Sequence, residues 1–160
     1  MARRRSVSFV RDIGVDPRYN SELVQKLINV VMWRGKKNAA RHIVYEALEI
    51  ITKKNGGSVE KALELYLKAI EQITPVIEVR PRRVGGSVYQ IPKEVNAQRG
   101  RSLALRWLIS QAAERQDKTM GARLANELLD AIEGRGGAMK KKLDAHKMAE
   151  SNRAFSHYAW

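Results

Sequence analysis

Apolar residues return at helical spacing in segment after segment of this chain, and a single interval breaks the period. Leu23, Val24, Leu27, Ile28 and Val31 make the i, i+1, i+4, i+5, i+8 stripe of a buried helix face, with Asn20 or Ser21 as its cap and Gly35 as its stop. A second helix is expected from about Lys36 to Lys54, with Ala40, Ile43, Val44, Ala47, Leu48 and Ile51 inward and Asn55-Gly56-Gly57 ending it. Ser58 caps a third, in which Val59, Ala62, Leu63, Tyr66, Ile70 and Ile73 keep the period until Pro75. Helix returns from Ala97 or Gly100 to Gln116 on Leu105, Leu108, Ile109 and Ala112, and again from Lys118 to Glu133 on Leu124, Ala125, Leu128, Leu129 and Ile132. Gly134-Arg135-Gly136-Gly137 then separates off a last helix that starts near Ala138. Trp33 and Trp107 fall inside helices on this pattern and are expected at the core or its edge.

The exception is PVIEVRPRRVGGSVYQIPKEV, residues 75–95. Its β-branched and aromatic residues flank Gly85-Gly86, a pair able to take the positive φ angles of a tight turn, and together they predict a β-hairpin. A turn at the glycines sets Arg82 across from Tyr89 and Arg83 across from Val88, which puts arginine on both faces of the tip. Pro81 has no N–H to give a ladder, so a looser tip is expected. The fold class is mainly α: a single domain over 1–160 of about six helices, with one protruding hairpin at 75–95, a basic N-terminal arm over 1–19 and an aromatic tail over 150–160.

A compact chain of 160 residues buries roughly 70% of the surface it exposes when unfolded, enough for a real core. Cysteine is absent, which excludes disulfides, thiolate metal sites and cysteine nucleophiles. No apolar run is long enough to span a bilayer, and MARRRSVSFVRD meets Arg11 and Asp12 before a signal-peptide core forms, so neither membrane nor export is expected and the cytoplasm is. The formal net charge of +13 is concentrated rather than spread. Basic residues outnumber acidic ones nine to three in 1–37, seven to two in 76–106 and six to two in 134–160, whereas the intervals between are balanced or slightly acidic. Helical scaffold alternating with basic windows is the layout of a nucleic-acid binder.

Three helix starts carry cations: Lys36 and Lys37, Arg99 and Arg101, and Lys140, Lys141 and Lys142. A helix N-terminus already bears about half a positive charge, so each such residue costs about 0.3–1 kcal/mol unless an anion lies nearby. A phosphate would reverse the sign, since free N–H groups and lysines favour the same partner; long side chains curling into water would reduce the cost without one. On this account, replacing the three lysines of the last helix leaves the isolated fold as stable as before. Arg80, Arg82 and Arg83 on a narrow ribbon suit a groove or junction that a helix pair cannot enter, with Tyr89 as a further planar surface, although arginine near a strand end also guards against edge pairing. In FSHYAW, residues 155–160, the aromatics are expected to pack back on the body, the other outcome being stacking on a partner. His42, His146 and His157 lie apart, no full metal-ligand pattern exists, and neither a serine elbow nor a phosphate loop is present, so no metal, cofactor or catalysis is expected. Two rivals stand beside an RNA binder: a DNA reader, which needs one polar recognition helix, and a basic protein adaptor, which needs exposed apolar patches.

RRVGGSVYQIP (82–92), LALRW (103–107), RLANELLDAIEGRGGAMKKK (123–142) and MAESNRAFSHYAW (148–160) resemble the universal small-subunit ribosomal protein number seven family in its bacterial form, and MARRR and GKKN (35–38) agree with it. The likeness covers nearly the whole chain. It implies a helical domain with an arginine-rich hairpin that binds the 3′ major domain of 16S rRNA, helps start assembly of the subunit head, and lies beside exit-site tRNA and the mRNA exit path. It also implies neighbouring head and platform proteins as partners, no DNA and no enzymatic activity. Carried over, the family's basic arm falls on Arg3, Arg4 and Arg5, its loop lysines on Lys36 and Lys37, its hairpin on Arg80 to Gln90, and its last basic helix start on Lys140 to Lys142. With the helix-start residues, the expected rRNA contacts are Arg3, Arg4, Arg5, Arg34, Lys36, Lys37, Arg99, Arg101, Lys140, Lys141 and Lys142. The expected tRNA- and mRNA-proximal set is Arg80, Arg82, Arg83, Gly85, Gly86 and Tyr89. Pro81, Arg34, Leu143 and Ala159 depart from the family, which commonly has serine, aspartate, an acidic residue and arginine there.

Overall fold

Ser21 opens the first helix by accepting the Val24 N–H on its hydroxyl at 3.5 Å. The computed structural model describes residues 12–54 and 56–158, so Arg3, Arg4, Arg5 and Ala159 lie outside the described residues. The helices are α1 (Glu22–Val31), α2 (Lys37–Lys54), α3 (Val59–Ile73), α4 (Ala97–Glu114), α5 (Met120–Ile132) and α6 (Gly137–Ser151), with strands β1 (Ile77–Val84) and β2 (Ser87–Glu94) between α3 and α4 and a closing 3-10 turn at Arg153–Tyr158. Asn96 caps α4 through the Arg99 N–H at 2.8 Å, and Thr119 caps α5 through the Ala122 N–H at 3.1 Å.

α1 ends before Gly35, not at it. Arg34 and Gly35 take φ of 51° and 75°, and the Trp33 carbonyl accepts the Lys36 N–H at 3.1 Å, so residues 33–36 form a tight left-handed turn. Trp33 is therefore not a helical core residue: it sits in this turn and is 75% exposed. Helical spacing extends past the end of α1 by chance, and an Arg-Gly pair in left-handed backbone overrides it.

α5 is the central element, packed against α2, α3, α4 and α6, with Leu124, Ala125, Leu128 and Ala131 fully buried. Leu27 and Ile28 of α1, Val44, Leu48 and Ile51 of α2, Tyr66 and Ile73 of α3 and Leu108 of α4 close the same core. A segment read as irregular is also anchored. Asp16, wholly buried, accepts the Arg18 and Tyr19 N–H groups at 3.0 Å each and the Tyr45 hydroxyl at 2.6 Å, which pins the approach to α1 onto α2. Arg18 then lies over the Tyr19 and Tyr45 rings and pairs with Glu49 at 2.7 Å.

The hairpin has the expected register, Arg82 opposite Tyr89 and Arg83 opposite Val88, closed by Gly85 and Gly86 at φ of 59° and 90°. Two positive φ angles give the turn that matches strand twist, and glycine takes both without strain. The tip is not loosened by Pro81. Val84 and Ser87 flank the two-residue turn as a hydrogen-bonded pair, so the alternation makes Pro81–Gln90 and Val79–Pro92 non-hydrogen-bonded pairs. Both prolines thus stand where their missing N–H would have pointed away from the ladder.

A charge inside the core joins three helices. Glu127, 1% exposed, accepts Arg115 Nη1 at 2.6 Å on Oε2 and the Ala138 N–H at 2.8 Å on Oε1. Arg115 follows α4 and also reaches Asp130 at 2.8 Å, while Ala138 opens α6. Removing one side of a buried pair strands the other, so Glu127→Ala is expected to lower the unfolding free energy by about 3 kcal/mol, and Glu127→Gln, which keeps an acceptor for the Ala138 N–H, by less. Urea denaturation measures both; a loss under about 0.5 kcal/mol for the alanine variant would show that the carboxylate is not the tie between these helices.

Candidate nucleic-acid interface

The basic residues singled out in the sequence divide into two groups once their neighbours are known. Arg80 and Arg99 remain exposed, yet both are committed to one acidic partner. Glu78, 9% exposed at the foot of β1, receives Arg80 on Oε1 and Arg99 Nε on Oε2 at 3.2 Å. These two arginines clamp the hairpin to the start of α4, a role that needs the third partner, Glu78, to be recognised. Lys142 is likewise engaged: its ammonium donates to the Gln72 carbonyl in the last turn of α3, and burial pushes its pKa down. It caps a carbonyl that α3 cannot satisfy internally. The three α6 lysines are consequently not equivalent, and removing all of them is now expected to cost the fold the Lys142 hydrogen bond, which the charge pattern does not register.

Arg34, Lys36, Lys37, Arg82, Arg83, Arg101, Lys140 and Lys141 have no acidic partner among the described residues. All but Lys37, which is half-buried, are exposed. The start of α6 is not an open anion site, because the Glu127 carboxylate already occupies the Ala138 N–H; Lys140 and Lys141 act from the helix surface instead. α4 is capped by Asn96. α2 begins without an acidic residue in its first turn, directly after the strained turn that carries Trp33 and Arg34. Arg101 opens onto a groove of about 610 Å³ between α1 and α4, which Lys26, Val30 and Arg106 also line.

The hairpin's placement comes from α6 and the tail. The Val76 N–H donates to His146 Nε2 at 3.3 Å, and burial together with Lys142 pushes the His146 pKa down, favouring the neutral imidazole that can accept. Phe155, in the 3-10 turn, packs on Tyr89 with ring centroids 4.9 Å apart and planes at 45°. Phe155 thus folds back as expected and covers part of the Tyr89 ring that the sequence offers for stacking, while Trp160 lies outside the described residues. Arg82 and Arg83 stay clear at the tip, with Gly85 and Gly86 between the strands. Among the described residues there is no cluster of His, Cys, Asp and Glu able to hold a metal, and no helix is long and apolar enough to cross a membrane.

The split among the lysines is testable. Lys140→Ala with Lys141→Ala is expected to leave stability within about 0.5 kcal/mol of the parent, while Lys142→Ala loses about 1 kcal/mol with its hydrogen bond. Thermal melts of the two variants measure this, and equal effects would contradict the assignment.

The ribosomal protein S7p/S5e family model matches residues 2–153. Among curated proteins, the small ribosomal subunit protein uS7 of Nautilia profundicola is 51% identical over 160 residues, covering all of both chains. The protein of the same name from Syntrophotalea carbinolica is 52% identical over 160 residues, again covering both chains fully, and that of Koribacter versatilis is 54% identical over 150 residues and 94% of each chain.

Proposed function

Because the chain belongs to the ribosomal protein S7p/S5e family, we propose that it docks on the 3′ major domain of 16S rRNA, takes an early part in assembling the subunit head, and reaches exit-site tRNA and mRNA with its hairpin. It is a ribosomal protein of the small subunit, an RNA-binding constituent of a ribonucleoprotein that serves translation, and not an enzyme. Its work is in the ribosome, hence in the bacterial cytoplasm, beside rRNA and other ribosomal proteins, including neighbours in the head and platform.

The observation that carries the proposal is the set of exposed cations without acidic partners. A fold that needed these charges for itself would pair them, as it pairs Arg80, Arg99 and Arg115. Left unpaired at the turn before α2, along α4, on α6 and at the hairpin tip, they suit the phosphates of a large folded RNA. Arg34, Lys36, Lys37, Arg101, Lys140 and Lys141 serve as rRNA contacts on this reading, together with the arm residues Arg3, Arg4 and Arg5. Lys142, Arg80 and Arg99 act chiefly by holding the contact surfaces in place. Arg82 and Arg83 are exposed near the tip of a ribbon eight residues long in each strand, which suits a contact with tRNA or mRNA better than a share in docking.

Two measurements test this. With roughly six to ten phosphate contacts, affinity for a 3′ major domain transcript should fall by about three to five orders of magnitude between 50 and 200 mM salt; a nearly flat response would overturn the docking role. Arg82→Ala with Arg83→Ala should enter small subunits at close to the parental level, and the resulting subunits should retain exit-site tRNA less well. Failed incorporation with normal retention would place the tip among the docking contacts instead.

A further inference from the structure

We infer that Trp33 is a stacking platform for an unpaired base of the RNA, presented by the turn that also carries Arg34, Lys36 and Lys37. The inference rests on the rRNA-binding reading and adds to it a contact that is neither ionic nor directed at the backbone.

Trp33 is the most exposed of the large apolar residues among those described, at 75%, and its indole makes no hydrogen bond or ring contact among them. A lone exposed aliphatic side chain is ordinary on a protein surface. An indole is a different matter here because of its mounting. The Trp33 carbonyl closes the turn onto the Lys36 N–H, and both central residues, Arg34 and Gly35, are left-handed. Arginine at positive φ is strained, and strain of this kind is retained where it positions something. Its effect is to set the course of the backbone that carries Trp33 from the end of α1 to the start of α2, and the indole stands exposed there.

The surroundings select the ligand. Arg34, Lys36 and Lys37 follow Trp33 within four residues, and none of them has an acidic partner among the described residues. A protein contact centred on Trp33 would call for an apolar patch around it, whereas the residues that follow it, Arg34, Gly35 and Lys36, are exposed and not apolar. A flat ring beside several cations matches a nucleotide: the base stacks and the phosphates on either side meet Arg34 and the lysines. Bases within a duplex are already stacked on their neighbours, which leaves the unpaired ones in loops, bulges and junctions as the class that Trp33 can take.

The test uses the full chain as wild type, Trp33→Ala and Trp33→Phe, titrated with a transcript of the 3′ major domain at fixed salt. Trp33→Ala is expected to weaken binding by about five- to a hundredfold, as loss of one base–aromatic stack does, while Trp33→Phe keeps most of the affinity. The log–log salt slope should be the same in all three, since the indole carries no charge, whereas Lys36→Ala with Lys37→Ala should lower it. Quenching of tryptophan fluorescence on binding should be smaller in Trp33→Phe than in wild type. Wild-type affinity in Trp33→Ala, or no rescue by phenylalanine, overturns the inference while leaving the rRNA-binding reading intact. Normal RNA affinity combined with loss of a neighbouring protein from the assembled subunit overturns it in favour of a protein contact. Failure of the wild type to bind the transcript removes the reading itself, and the stacking site with it.

Discussion

The carboxylate of Glu127 holds the C-terminal half of the fold in one arrangement. Burying it costs several kcal/mol of lost hydration, which Arg115 and the Ala138 N–H offset only in the observed geometry. That requirement fixes the end of α4, the middle of α5 and the first turn of α6 relative to one another. α6 in turn supports the hairpin through His146 and the carbonyl end of α3 through Lys142. A negative charge at the N-terminus of α6 also answers the helix dipole from within, which is why lysines two and three positions further on can face solvent at little cost to the fold.

The helices and the hairpin were legible because each depends on short-range pattern. Apolar stripes gave the six helices, and Gly85-Gly86 gave both the turn and the pairing of Arg82 with Tyr89. Trp33 was misread because the stripe of α1 continues into a turn whose backbone the spacing does not encode. The effect of Pro81 was misjudged for a related reason: whether a proline harms a ladder depends on the parity of its position, and the parity follows from the turn, two residues beyond the arginines. Glu127 left a trace that periodicity could have caught, since it falls between Leu124, Leu128 and Ala131 on the buried stripe of α5, where a carboxylate must have a partner. Glu78 left none, for its burial depends on Arg99, which the hairpin separates from it in sequence.

The same limit applied to the charges. Counting cations by window located the basic regions, and the structure then sorted those cations into two kinds by their partners. Arg80, Arg99 and Lys142 spend their hydrogen bonds inside the protein; Arg34, Arg82, Arg83, Lys140 and Lys141 do not. Adjacent residues such as Lys141 and Lys142 differ because 3.6 residues per turn sends one to solvent and the next against α3. No property of the individual side chain distinguishes them.

The contact of Phe155 with Tyr89 joins positions far apart along the chain, and synthesis separates them in time. At about 5–20 residues per second, roughly three to thirteen seconds pass between the addition of the hairpin tyrosine and that of the phenylalanine that covers it. In that interval the ribbon can form its own ladder, because its turn is local, but it lacks its brace. A nascent chain therefore acquires the platform and the ribbon first and the angle between them last, so the tip reaches its working orientation only after the surfaces that grip RNA already exist.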